Sequence, residues 1–158
     1  MGQGREVNIL LATQRSHGDS EGKAITFGIR ERHDCESWVR YVVERFGKET
    51  KIVLWGVSMG AATVLMAADL DMPKNVKGIV ADCGFSSPRE IIREVIRQMK
   101  FPVGPAYWLA KLGARIYGGF NLEETSAIQT LKNSKVPVFL VHGDADDFVP
   151  CSMSQANF

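Results

Sequence analysis

Lys51-Ile52-Val53-Leu54-Trp55-Gly56-Val57-Ser58-Met59-Gly60-Ala61-Ala62 is the stretch that decides the fold. Its apolar first half, rich in β-branched residues, reads as a buried strand. Gly56-Val57-Ser58-Met59-Gly60 then reads as a turn so tight that the positions two before and two after the serine must be small. Ala61 and Ala62 open a helix and allow it to lie close on the strand. A strand that feeds a helix through G-x-S-x-G is the geometry that projects a serine hydroxyl as a nucleophile. An ordinary glycine-rich strand-to-helix turn is the competing reading, and position after a buried strand favours the former.

Three further apolar runs, Val7 to Ala12, Val76 to Ala81 and Val136 to Val141, resemble the run from Lys51 to Trp55. All are nearly continuous rather than alternating, the pattern of parallel strands covered on both faces. Helical patterns lie between them. Trp38, Val39, Val42, Val43 and Phe46 repeat at helical spacing, with Asp34 as the expected N-cap and Gly47 as the stop. Two segments, about Arg89 to Met99 and Ala106 to Tyr117, are separated by a break that Pro102 and Pro105 enforce. A shorter helix is expected near Glu123 to Leu131. Strands alternating with helices predict an α/β domain built on a mainly parallel sheet of about four strands. Residues 1–158 read as one domain, without repeats or low-complexity tracts.

Composition narrows the function classes. At 158 residues, 45% hydrophobic and 23% charged, the chain holds enough apolar material for one substantial core. Nineteen basic against eighteen acidic residues, with no Lys/Arg block, leave no footprint for a nucleic acid. No apolar stretch approaches the roughly 20 residues that span a bilayer, and the N-terminus does not read as a signal peptide. A cytoplasmic protein that binds neither membrane nor nucleic acid is expected. Cys35, Cys83 and Cys151 are three, widely spaced and without a C-x-x-C pair, which points to reduced thiols rather than disulfides or a zinc site.

A second chemistry-bearing stretch, His142-Gly143-Asp144-Ala145-Asp146-Asp147-Phe148-Val149-Pro150, follows the last strand. Active sites in open parallel sheets form at the carboxyl ends of strands, so all three carboxylates are placed to serve a nucleophile. Asp144 and Asp147 read as shaping an Asx-type turn, and Asp146 as the functional acid. No metal or organic cofactor is implied. Asp144-Ala145-Asp146-Asp147 lacks the spacing and terminal Glu of a calcium loop, and Gly18 to Lys23 is one residue short of a phosphate-binding loop. Cys83 as a nucleophile is outweighed by its reading as a small buried residue.

With these motifs in view, the chain resembles the α/β-hydrolase superfamily, close to bacterial esterase-like and prolyl-oligopeptidase-like serine hydrolases. Arg15-Ser16-His17-Gly18-Asp19-Ser20-Glu21-Gly22 is similar to the family's loop after its fourth strand, Gly56 to Gly60 to its elbow, and His142 to Pro150 to its H-G-x-x-D-x-x-V-P segment. The resemblance implies Ser58 as nucleophile, Asp146 as triad acid and the Met59 backbone N–H as an oxyanion-hole donor. It implies a small-molecule ester or peptide substrate, and a helical cap-like insertion over residues 84–133. In that insertion Phe101, Tyr107 and Trp108 are candidates either to line an acyl or leaving-group pocket or to pack in the core.

The departures matter equally. The family's catalytic His follows an eighth strand and its other oxyanion donor follows the third, and neither segment is matched here, so the resemblance implies a partial α/β-hydrolase fold. His17, His33 and His142 are the only histidines, and none reads as a general base. Thr13 stands where the family usually has Asp. Right-handed crossovers, the rule in about 98% of parallel connections, would place all the helices on one face of this sheet. The other face would then be bare and apolar, which predicts a homo-oligomer or a complementing segment. The alternative to a hydrolase is a catalytically inactive, self-associating α/β module.

Overall fold

The computed structural model describes residues 7–158. Three parallel strands, β1 (Ile52–Val57), β2 (Val76–Asp82) and β3 (Val138–Val141), form one sheet in the order β1-β2-β3. Register sets Val57 beside Asp82 and Asp82 beside Val141, so the three strands end in one row. The helices are α1 (Glu31–Phe46), α2 (Met59–Met66), α3 (Pro88–Gln98), α4 (Val103–Gly113), α5 (Ala127–Leu131) and α6 (Cys151–Asn157), with a π-helical turn over Ala114–Gly118 continuing α4.

Among the described residues the sheet has three strands, where about four were expected. Residues 7–12 form no strand and are exposed, Val7 at 79% and Leu11 at 91%. Their composition suits a strand, but a strand needs a neighbour to accept its backbone hydrogen bonds, and among the described residues none pairs with them. Nor are the strands covered twice. Leu54, Ile79, Ala81 and Leu140 pack against a core built from Leu65 and Met66 of α2, Ile91 of α3 and Val149. On the opposite face Val53, Trp55 and Val57 of β1 and Phe139 of β3 are exposed, Trp55 at 71% and Phe139 at 65%. Trp55, Val80 and Phe139 lie side by side in register, making an apolar stripe across the uncovered face.

Helix boundaries follow local chemistry. Ser87 accepts from the Glu90 N–H at 3.1 Å ahead of Pro88 at the first helical position, and Ser126 likewise accepts from the Gln129 N–H at 3.2 Å. Both match the S-x-x-E/Q start signal, which places the start of α5 at Ala127 rather than Glu123. Gly47, at φ 99°, ends α1 as expected. The start of α1 differs from expectation: Asp34 lies inside the first turn, and the N-cap is Arg30, four residues earlier. Glu31 is the reason. Its buried carboxylate accepts from the Thr26 N–H (2.8 Å), the Thr26 hydroxyl (2.5 Å) and the Gly28 N–H (2.9 Å). These bonds fix the turn over residues 26–29, in which Phe27 sits at φ 55° and Ile29 is fully buried. Asp34 instead pairs with Arg15 at 2.5 Å.

Candidate active site

Ser58 occupies the junction of β1 and α2 with φ 53° and ψ −116°, a sparsely populated region for any residue with a side chain, costing about 1–3 kcal/mol. The surrounding backbone holds it there. The Ser58 N–H donates to the Asp82 carbonyl at the end of β2 (2.8 Å), and the Ser58 carbonyl accepts from Ala62 N–H (3.0 Å). Gly56 allows the turn to close: a Cβ on it would lie 2.2 Å from the Gly60 carbonyl oxygen and 2.5 Å from the Ala61 nitrogen. Gly60 carries no such demand, since a Cβ there meets nothing within 4 Å. The expectation that both flanking positions must be small therefore holds only for Gly56, because the approach is made by the Gly60 backbone. Gly84, just past the end of β2, also lies close to α2: an added Cβ there would lie 3.0 Å from the Ala61 Cβ.

Met59 is the first residue of α2. The first N–H groups of a helix have no acceptor within it and carry the positive end of its dipole. Cys83, which follows β2 as Ser58 follows β1, also has a positive φ, 47°. Burial pushes the Cys83 thiol up, partly offset by the nearby Ser58 N–H, which leaves it a poor thiolate nucleophile.

The segment after β3 centres on Asp146. Its Oδ1 accepts from the Val149 N–H (2.8 Å) and the Phe148 N–H (2.9 Å). These two bonds hold its carboxyl below the usual range for Asp, with His142 adding to them. Asp146 thus makes the Asx-type turn that was expected of Asp144 and Asp147, both of which are exposed. Its Oδ2 is left toward His142, whose Nε2 lies 3.5 Å away. The His142 ring itself is committed. Nε2 donates to the Val149 carbonyl (2.7 Å), and Nδ1 meets the Ser154 hydroxyl (2.6 Å), tying α6 to the loop. His17 Nδ1 lies 2.9 Å from the Arg15 carbonyl, and His33 is exposed on α1. Among the described residues no side chain hydrogen-bonds the Ser58 hydroxyl. The strand ends that lead into Ser58 and into the Asp146 loop lie on either side of β2, two strand spacings or about 10 Å apart.

Ser58 and Met59 open into a cavity of about 600 Å³ lined by side chains of α3 and α4 together with Phe27, Phe85, Phe120, Leu122, Phe148 and Val149. Ser58 is the one polar residue in that lining among the described residues. The three aromatic candidates of the insertion do not line it: Phe101 and Trp108 are exposed. The Tyr107 hydroxyl donates to Glu123 at 3.1 Å, and burial with that bond pushes the phenol up to about 12. The residues that do line it are apolar positions of α3 at helical spacing, a signal present in the sequence but indistinguishable there from core. A smaller cavity of about 360 Å³ lies at the opposite end of the strands, beside Leu54, Val76 and Pro137. Among the described residues no three His, Cys, Asp or Glu side chains gather to hold a metal ion, and no described helix is long and apolar enough to cross a membrane.

Residues 26–157 match the model of the prolyl oligopeptidase family. The Bacillus subtilis (strain 168) uncharacterized protein YqkD is 28% identical over 149 residues, which cover 94% of this chain and 49% of YqkD. Among solved structures, the Pyrococcus furiosus esterase Pf2001 is similar at 26% identity with a TM-score of 0.63, covering 91% of this chain and 52% of that one. A lipase-esterase related protein from Clostridium acetobutylicum shares the fold at 20% identity and a TM-score of 0.60, over 90% of this chain and 66% of that one. The chain spans about half the length of the curated relatives it matches.

Proposed function

Because the chain belongs to the prolyl oligopeptidase family, within the α/β-hydrolase superfamily, we propose that it is the nucleophile-bearing part of a serine hydrolase cleaving carboxylic esters, or amides, through a Ser-His-Asp triad. The observation that carries this is Ser58, held at φ 53° and ψ −116° at the carboxyl end of β1 and facing an apolar cavity. Ser58 attacks the carbonyl carbon. A histidine takes its proton, and Asp146, its Oδ1 fixed by two backbone N–H groups, orients and stabilises that histidine through Oδ2. The Met59 N–H supports the tetrahedral oxyanion. The acyl-enzyme is then hydrolysed by water. The base comes from outside these 158 residues, where the resemblance places it, since His142 is committed to Val149 and Ser154. Segments completing the fold also cover the stripe over Trp55, Val80 and Phe139, which a second copy covers when they are absent. Residues 84–133 stand as the cap.

The same commitment of His142 favours a second reading, in which this chain by itself does not turn over. An activated aryl ester separates the two. With p-nitrophenyl acetate, the chain is expected to release a burst of p-nitrophenol approaching one per chain, followed by a slow phase, because acylation of a good leaving group needs the base less than deacylation does. Ser58→Ala abolishes the burst. A burst that persists in Ser58→Ala contradicts Ser58 as the nucleophile, and no burst from folded chain favours the inactive module.

A further inference from the structure

We propose that the cavity beside Ser58 takes a straight, uncharged aliphatic acyl chain, and that Ala106, Ala110 and Ala114 set the chain length it accepts. The inference rests on Ser58 being the nucleophile, and deepens that reading by naming the acyl class. These three alanines recur every fourth residue from α4 into the π-helical turn and all face the cavity. At 1.5 Å per residue they make a smooth wall about 12 Å long. With C–C bonds of about 1.5 Å staggered at about 111°, that wall matches roughly eight to ten carbons. The space exists because these side chains stop at Cβ. All three remain partly exposed and α4 has no fully buried residue, so larger side chains here can grow into the cavity rather than into packed core.

The lining also excludes other acyl groups. Apart from Ser58 it offers no side chain that could partner a charge or an amide. A peptide segment drawn into it would lose its hydration without replacement hydrogen bonds. A hydrocarbon chain loses nothing of that kind and gains about fourfold in affinity per buried methylene. The π-helical turn fits the same purpose, since such turns widen a helix locally and recur at functional sites. Phe120, whose N–H donates to the Ala114 carbonyl (3.2 Å) and whose ring lies against Gly118, braces its far end.

Displacement of a fluorescent fatty-acid analogue by linear carboxylates of two to sixteen carbons, measured on the whole chain, tests this. Affinity is expected to rise about fourfold per methylene and to level off near eight to ten carbons. Ala110→Leu is expected to move the levelling point to shorter chains, while Trp108→Ala, outside the cavity, leaves it in place. The burst reports on Ser58 and the levelling point of the series reports on the cavity, which separates failure of the acyl assignment from failure of the nucleophile assignment. A flat series, tighter binding of phenyl or peptidyl acids than of decanoate, or a levelling point unmoved by Ala110→Leu overturns the proposal.

Discussion

Gly56→Ala and Gly60→Ala are the same chemical change, four residues apart in one turn, and the structure assigns them opposite outcomes. A Cβ on Gly56 would lie 2.2 Å from the Gly60 oxygen, 2.3 Å from the Gly60 carbonyl carbon and 2.5 Å from the Ala61 nitrogen. All three are backbone atoms at the start of α2 and cannot rotate away. Relief requires α2 to move off β1, and α2 carries Leu65 and Met66 at the centre of the core. Overpacking that forces backbone shifts costs about 1–3 kcal/mol, occasionally more. With no flexible atom to yield, the upper end, about 3 kcal/mol, is expected. That corresponds to a Tm lower by roughly 6–12 °C for a chain of this size. Gly60 is helical and a Cβ there meets nothing within 4 Å, so Ala should gain up to about 1 kcal/mol from helix propensity. Urea unfolding followed by far-ultraviolet circular dichroism, with both variants at one pH, measures the difference. Gly56→Ala within 0.5 kcal/mol of the parent (about the scatter of surface substitutions), or Gly60→Ala the more damaging of the two, would refute the elbow geometry.

Glu31→Ala leaves the Thr26 N–H, the Thr26 hydroxyl and the Gly28 N–H without their buried acceptor and should destabilise by about 3 kcal/mol, read from the urea midpoint. Asp146, its carboxyl held low mainly by the Val149 and Phe148 N–H groups, contributes stability that is present above the ordinary Asp value near about 3.9 and is lost as pH falls through its lowered pKa. The stability gap to Asp146→Asn should therefore close at low pH, and a gap that persists at the acid limit of folding contradicts this. The Cys35 thiol, pushed up to about 11 by burial with Asp34 and Glu36 nearby, should react with iodoacetamide at pH 8 far more slowly than a free cysteine, as peptide mapping will show. The apolar stripe predicts self-association of this chain at micromolar concentration, relieved by Trp55→Lys with Phe139→Lys. Light scattering that finds the parent chain monodisperse and monomeric removes that prediction.

What could be read in the sequence divides along physical lines. β1, β2 and β3 were legible because apolar runs flanked by turns carry their own signal, and the elbow because a strand, G-x-S-x-G and a helix follow one another directly. The run from Val7 to Ala12 misled because strand formation depends on a pairing partner, which composition does not report. Burial on both faces was inferred from continuous apolarity, yet Val53, Trp55 and Phe139 face solvent: hydrophobicity states a preference for cover, not its presence. Asp146 stood out from Asp144 and Asp147 through the family resemblance, and the structure distinguishes it by its bonds to Phe148 and Val149. The cavity was not legible, because its α3 lining reads as core and the side chains of Ala106, Ala110 and Ala114 that border it stop at Cβ. Phe101 and Trp108, expected in a pocket or the core, are exposed instead.

The most direct test of the account is reaction of this chain with a fluorophosphonate, read by intact mass and peptide mapping beside a Ser58→Ala control. The elbow and the Met59 oxyanion donor predict one adduct, on the peptide containing Ser58, absent from the control. An adduct that survives in Ser58→Ala would contradict Ser58 as the nucleophile, and an unlabelled but folded chain would show that Ser58 is not activated without the base supplied from outside these residues.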